Sequence, residues 1–576
     1  MASPAPITFC ASLPPSDVPL AEPLHHRRTK IVGTLGPASV PKIKELIEAG
    51  VNVFRLNFSH IKKPEEQSPI INTIRKWSKE LGIPVAILAD LGGPKVRCND
   101  FSPNPIIHLK RNDTVRLVAS DDPGSEGIIT TSISRVVSQL DTGHRILLDD
   151  GNIALKVKSR ISESEIECTV IVGGELKSHK GINVPDIRLD VPALTEKDKR
   201  DAKYAYEQQV EYIAMSFVQK PEDVVELKEL IQTWAAENKK EKAEQQGTAD
   251  VDENGVSLLE ENWRPHLILK IEKPQALEVI DELIKVGDGI MVARGDLGVE
   301  VSLERVPVIQ KMLIRKANAA EKPVITATQM LESMISAPVP TRAEVSDVAN
   351  AVFDGTDAVM LSAECATGKY PVETVQLMSS VCRRAEEGDT YMHPQVISVT
   401  DRTSSGKSEF AHPIADAAVA ASKEAESAAI IVFTAYGDMA MYVSKRRPNR
   451  PVIAVTSSYS LWRRLALIYG LYPVLTSAMR NGSSPTSPTS PNSTTTVSTD
   501  EIYAHTEHDI LSGIAPRLGL KLNDSVLFCA GHHPRWPALS NLVKMARFGD
   551  FSRSVNARHN WGTAFSGVKA ANTKAA

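Results

Sequence analysis

LILKIE (267–272) and GIMVAR (289–294) are two short apolar runs separated by a segment of helical character. Runs this short, rich in Ile, Leu and Val, read as strands buried on both faces, the kind that parallel sheets use. The same unit recurs in both directions. TKIVGTLG (29–36), VNVFRLNF (51–58), VAILAD (85–90) and EYIAMSF (211–217) precede it; PVITAT (323–328) and DAVMLS (357–362) follow. The intervening segments look helical. PKIKELIEAG (41–50) opens on Pro and closes on Gly, and PEDVVELKELIQTW (221–234) opens on Pro and an acidic pair, as helix starts favour. Eight strand–helix units in one chain predict a (β/α)8 TIM barrel over 29–93 and 191–390.

The interruption after the third strand changes character. DTVRLVAS, HRILLDDGNIALKV and EIECTVIVGG alternate apolar and polar residues between turns, and no helix-length periodicity appears in 94–190. That predicts an inserted small β-barrel lid domain. In 391–576, AAIIVFTAY (428–436), RPVIAVTS (450–457) and DSVLFCAG (524–531) alternate with helical stretches, which predicts a C-terminal open α/β domain of regulatory type. Residues 1–28 read as a flexible Pro-rich tail. The charged stretch 237–262 and the Ser/Thr/Pro stretch 481–500 read as surface loops, because neither buries enough apolar surface to order itself.

Composition narrows the function. The 576 residues carry a net charge of −4, which gives no electrostatic case for nucleic acid or an acidic membrane. No stretch reaches the roughly 18 apolar residues of a membrane span. Six scattered cysteines without a CxxC pair fit reduced thiols in a cytoplasmic compartment. The N-terminus carries Asp17 and Glu22 and has no charged region ahead of an apolar core, so it fits neither a secretory signal nor a mitochondrial presequence. A plastid address stays open.

A barrel of this type places its active site at the C-terminal ends of the strands. Here those ends carry Thr34; Arg55, Asn57 and Ser59; Asp90; Ser216; Lys270 and Glu272; Arg294 and Asp296; Thr328; and Ser362 and Glu364. Any one of these has a bland reading as a satisfied core group, but eight polar strand ends together point to catalysis. Lys270 and Glu272 share one face of a strand, since side chains alternate. Glu272 and Asp296 from neighbouring strands suit one Mg2+ or Mn2+ with positions left for substrate oxygens. Lys270 beside such a metal suits a transferring phosphoryl group or a developing enolate. An internal Lys270–Glu272 ion pair is the alternative, and it leaves Asp296 without a role. Arg55 and Arg97, which flank Asp90, suit phosphate.

These residues resemble the pyruvate kinase family from about Thr29 to about Phe548. The resemblance rests on VNVFRLNFSH, DLGGPKVR, KGINVPDIRLDVPALTEKD, LILKIEKPQAL, MVARGDLGVE, ATQMLESM, PTRAEVSDVANAVFDGTDAVMLS and SAECATGKYPVE, in order and at family spacing. It implies phosphoryl transfer from phosphoenolpyruvate to ADP, giving pyruvate and ATP in the last step of glycolysis, with Mg2+ on Glu272 and Asp296. Lys270 corresponds to the lysine that stabilises the phosphoryl group and the enolate, and Arg55 to an arginine on the substrate phosphate. Ala293, Arg294, Gly295 and Thr328 correspond to the substrate-carboxylate pocket. Thr328 also lies near the family's proton path, with Ser362 and Glu364 in its water network. Asn57, His60, Arg97 and Lys180 correspond to nucleotide contacts, Lys180 arriving from the lid. Arg342 corresponds to a subunit-contact residue in a family of homotetramers.

Two departures from the family pattern stand out. The monovalent-cation positions read Asn57, Ser59, Asp90 and Leu91, and Lys95 stands where potassium-dependent members carry Glu. Leu91 and Lys95 resemble the potassium-independent type, in which the ammonium supplies the charge of K+; a solvated lid lysine is the alternative. The second departure is Phe433–Met439, which retains Thr434 and Gly437 but adds Asp438 where a sugar phosphate would sit. Fructose 1,6-bisphosphate activation is therefore not expected. Lys445, Arg446 and Arg447 with GHHPRW (531–536) form either another anion pocket or a solvated basic turn. Three rival readings remain: a Mg2+-dependent lyase or aldolase, a regulatory subunit without catalysis, and an adhesive Arg294-Gly295-Asp296 tripeptide.

Overall fold

The computed structural model describes residues 27–187, 192–244, 263–387, 410–476, 499–531 and 540–550. Eight parallel strands close into a barrel in chain order: Lys30–Thr34, Val53–Asn57, Ala86–Asp90, Tyr212–Met215, His266–Ile271, Gly289–Ala293, Val324–Ala327 and Ala358–Leu361. All eight apolar runs become barrel strands, because only a strand buried between lumen and helices tolerates apolar residues on both faces. Inward residues such as Val32, Leu88, Ile268 and Met360 fill the lumen, and Ile31, Ile87, Leu269 and Leu361 pack under the helices.

The predicted helix at 41–50 is a 3-10 turn followed by Ile43–Ala49, and Gly50 closes it at φ 115°, a left-handed conformation that Gly adopts without strain. The helix that opens at Pro221 runs to Glu244. The loop expected from 237 therefore starts later: ENKKEKAE is rich in good helix formers and simply continues the helix. Residues 245–262 lie outside the described residues, as do 1–26 of the expected tail and 477–498, most of the Ser/Thr/Pro stretch.

Between the third and fourth barrel strands the chain builds a six-stranded sheet and a separate two-stranded sheet around one core of Leu117, Ile146, Leu155 and Val170. A six-residue helix, Ser134–Gln139, lies within it, too short to leave a periodic signal in the sequence. The C-terminal domain is a five-stranded sheet, parallel except for its last strand, Ser540–Arg547.

The C-terminal domain covers the N-terminal face of the barrel. Tyr212 Oη donates to Arg464 O (2.6 Å), Arg463 pairs with the buried Glu211 (2.5 Å), and Lys30 Nζ donates to Leu471 O (2.6 Å). That end is sealed, so the opposite rim is left for the lid and the polar strand ends. Among the described residues no helix is long and apolar enough to cross a membrane.

Candidate active site

The rim gathers a buried charge network. Lys270 Nζ lies 2.8 Å from Glu272 Oε1, 2.8 Å from Ser216 Oγ and 3.4 Å from Asp90 Oδ1. Arg55 Nε donates to Asp90 Oδ2 at 2.5 Å, and Arg55 also donates to Thr34 Oγ1 (3.2 Å). Asp90 and Glu272 are essentially solvent-free. Burial pushes the Glu272 carboxyl up to about 7; Asp296 adds to this, and Lys270 only partly offsets it. Burial also works against the Lys270 ammonium, but Asp90 and Glu272 together outweigh it and hold its pKa above the ordinary lysine value. Asp90 goes the opposite way from Glu272: burial raises it, and Lys270 with Arg55 more than compensates, leaving it below the usual carboxylate value.

Glu272 therefore lacks a full share of positive charge. Its Oε2 accepts from Phe217 N (2.7 Å), but its buried Oε1, although close to Lys270, makes no well-directed hydrogen bond. An oxygen of this kind, within the electrostatic reach of Asp296 in the first turn of the helix Arg294–Glu300, fits a divalent cation. Among the described residues no cluster of three His, Cys, Asp or Glu forms a protein-only cage. Glu272 and Asp296 are thus the carboxylates the protein itself offers.

Thr328 and its neighbour Gln329 sit at φ 70° and 52°, a strained backbone at the strand end. Thr328 Oγ1 accepts from Gly295 N (2.7 Å), which fixes the turn from Ala293 to Asp296. The Arg294 guanidinium points away from this turn. It donates to Ala327 O (3.1 Å) and Thr328 O (2.6 Å) and pairs with Asp347 (2.7 Å), so it supports the loop from behind. With Arg294 held this way, the adhesive tripeptide reading fails. Glu364 accepts from Ser362 N (2.7 Å) and Leu331 N (3.3 Å), while the buried Ser362 Oγ has no partner.

The nucleotide residues expected from the lid make their contacts within it. Lys180 Nζ pairs with Asp149 (2.6 Å), and Arg97 donates to His179 O (3.0 Å). Asn57 Oδ1 accepts from Ser59 N (3.2 Å), and Ser59 lies against Gly92, next to the buried Leu91. The side chain of His60 lies outside the described residues. Lys95 does not join the Asn57–Ser59–Asp90 group. Its ion pairs among the described residues are with Asp296 (3.3 Å) and the lid's Asp150 (3.5 Å). Arg55 and Lys270 already neutralise Asp90, so the free ammonium goes to the next carboxylate. Sequence reasoning missed Asp149, Asp150 and Asp347. The DDG triplet marks a turn, but a turn signal names no partner.

The basic stretch in the C-terminal domain does not form a pocket beside Phe433–Met439. It follows the far end of the helix Asp438–Lys445. There Lys445 pairs with Asp357 (2.6 Å), and Arg446 pairs with Glu321 (2.7 Å) and Asp416 (2.8 Å). Thr434 Oγ1 is occupied by Gly437 N (2.9 Å). His532–Trp536 lie outside the described residues.

Family models for the pyruvate kinase barrel domain match residues 26–254 and 245–375, and the model for the pyruvate kinase alpha/beta domain matches 412–545. The chain belongs to the pyruvate kinase family. It is 42% identical to the pyruvate kinase of Geobacillus stearothermophilus over 449 residues, 77% of this chain and 71% of the relative. It is 41% identical over 453 residues to pyruvate kinase 2 of Synechocystis, 78% of this chain and 71% of that protein. The enzyme of Clostridium acetobutylicum is 38% identical over 452 residues, 78% of this chain and 89% of its own length. The function is that of a pyruvate kinase, an enzyme of the phosphotransferase class, in a family that generally uses Mg2+.

Proposed function

We propose that phosphoenolpyruvate and ADP meet between the rim and the lid, and that this chain's own residues divide the task as follows. Lys270 stays charged and faces the phosphoryl group in transit, stabilising charge on it and on the enolate left behind. Arg55, oriented by Asp90, holds the substrate phosphate. The Ala293–Asp296 backbone and Thr328 hold the substrate carboxylate, and Thr328, Ser362 and Glu364 deliver the proton that completes pyruvate. Asn57, His60, Arg97 and Lys180 hold the nucleotide, Lys180 leaving Asp149 for phosphate as the lid closes. Mg2+ on Glu272 and Asp296 would supply a Lewis acid for the phosphoryl oxygens. The observation that carries the reading is the buried Lys270–Glu272–Asp90–Arg55 network at the rim. A lyase has no use for Lys180 or for the Arg55–Asp90–Arg97 group, and a regulatory subunit has none for this network.

We further propose that K+ is not required. The support is Leu91 together with Lys95, whose ammonium lies on Asp296 and Asp150. A Glu at that position would meet two carboxylates instead. The domain limits proposed are 29–93 with 191–390, 94–190 and 391–576; the lid's own apolar core supports 94–190, while the barrel and the C-terminal domain share one apolar cluster. A homotetramer is supported by the exposed Leu303 and Val308, and by Val339 just ahead of Arg342. Reduced, buried cysteines support the cytoplasm.

The test is pyruvate formation from phosphoenolpyruvate and ADP with Mg2+ in potassium-free buffer, then with K+ replacing Na+ at fixed ionic strength. Turnover is expected without K+ and is expected to be lost in Lys270→Met. Turnover only with K+ would overturn the role of Lys95. Retained turnover in Lys270→Met would overturn the assignment of the site.

A further inference from the structure

A pocket lies where the barrel meets the C-terminal domain, at the face opposite the active site. Phe353, Gly355, Ala385, Glu386, Arg447 and Tyr469 line it, and its empty space, partly open to solvent, is about 310 Å³. The Arg447 side chain is only 8% exposed. Its Nη2 donates to Asn318 Oδ1 (3.0 Å) and Gly355 O (2.7 Å) and lies 3.2 Å from Asp357 Oδ1. Its guanidinium carbon stacks 3.9 Å from the centre of the Tyr469 ring. Among the described residues the buried Nη1 has no hydrogen-bond partner. A buried cationic N–H without an acceptor is costly, and such groups are normally satisfied.

Other cations crowd this donor. Arg28 approaches the same Tyr469 ring at 5.9 Å. Lys445 Nζ shares Asn318 and Asp357 with Arg447. Burial, with Arg447 next to it, holds the Lys445 ammonium down at about 8 despite Asp357. The carboxylates nearby are Asp357, Glu386 and, beyond Lys445, Glu321, which is paired with Arg446. Asp357 already serves Lys445 and Val324 N, and Glu386 accepts from Arg28 N (2.7 Å) and Thr29 N (2.6 Å). Among the described residues none of these carboxylates makes a hydrogen bond with Arg447 Nη1.

We propose that this pocket binds a small oxyanion, a carboxylate or a phosphate group, on Arg447 Nη1 against the Tyr469 ring, and that the bound anion ties the barrel to the C-terminal domain. Nη2 is fully engaged, so recognition is through a single nitrogen, and size rather than a bidentate fork selects the ligand. The site is spatially separate from the catalytic one. Gly355 and Asp357 precede the last barrel strand, whereas Ser362 and Glu364 follow it.

Calorimetric titration and thermal unfolding of the full chain test this, with inorganic phosphate and acetate titrated separately at fixed ionic strength. At least one anion is expected to bind saturably and to raise Tm with concentration. Phosphate alone would identify a phosphate ligand, and acetate a carboxylate. Phosphate also meets the catalytic rim, so Arg55→Ala is titrated in parallel and is expected to retain the interdomain site. Ala385→Met fills the pocket with an apolar chain while leaving the partners of Arg447 unchanged. It is expected to weaken binding by about tenfold or more, the scale of one lost charge-assisted hydrogen bond, and Arg447→Met is expected to do the same. Absence of saturable binding by either anion would overturn the proposal. So would binding that Ala385→Met leaves unchanged, which would mean an adventitious ion only.

Discussion

Glu272→Gln is expected to abolish catalysis yet to stabilise the metal-free protein progressively as pH rises. Burial raises the Glu272 carboxyl from 4.5 to about 7, a difference worth roughly 3 kcal/mol at 1.36 kcal/mol per pKa unit. The sign follows from linkage. A carboxyl whose folded-state pKa is raised favours the protonated form in the fold. Its contribution to stability is fully present below the unfolded value and is lost as pH rises through the folded one. Above about pH 7 the wild-type protein therefore carries a cost that Gln does not. The substitution keeps an oxygen for Phe217 N, and Lys270 retains Ser216 and Asp90, so no cation is orphaned. Urea unfolding of both proteins in EDTA, from about pH 5 to about pH 8, reads the difference in unfolding free energy. That difference should move by roughly 3 kcal/mol in favour of the variant. Adding Mg2+ should restore the wild type alone, because an ion that binds only the folded, ionised site stabilises by mass action. A pH-independent difference would refute the idea that a desolvated carboxylate is held ready for a cation.

Two further outcomes follow from other ion pairs. Lys180→Met should leave stability within about 1 kcal/mol, because its pair with Asp149 is exposed. It should still lower kcat/KM for ADP by on the order of a hundredfold in the coupled assay. Lys445→Met should cost about 3–5 kcal/mol in urea unfolding, because it strips a partner from the buried Asp357.

What the sequence revealed and what it hid have separate physical causes. All eight barrel strands were legible because burial on both faces forces an apolar run, and such a run is local. Lys270 and Glu272 were legible as a pair because strand alternation alone puts them on one face. Lys95 was legible as a cation but not by its partners. Asp150 comes from the lid and Asp296 from the short helix after the sixth barrel strand, and only the closed fold brings them together. Lys445–Arg447 misled for the same reason. Three adjacent cations look like a surface turn, yet their carboxylate partners lie far off in sequence, Asp357 by 88 positions and Glu321 by 125. The extension of the Pro221 helix to Glu244 was hidden because charge density suggested a loop where propensity favoured a helix.

The two ends of the barrel are therefore not independent surfaces. The last strand, Ala358–Leu361, is preceded by Asp357, which holds Lys445 and Arg447 of the C-terminal domain, and followed by Ser362, which we propose serves the proton path. At about 3.3 Å per residue the two lie roughly 17 Å apart along one strand. That strand is packed on both faces and hydrogen-bonded on both sides, so it has little room to deform between its ends. A change in charge at Asp357 reaches Ser362 either as a shift of the whole strand or not at all. The same reasoning makes the interdomain ion pairs, rather than the Phe433–Met439 loop, the shortest route from the C-terminal domain to the chemistry.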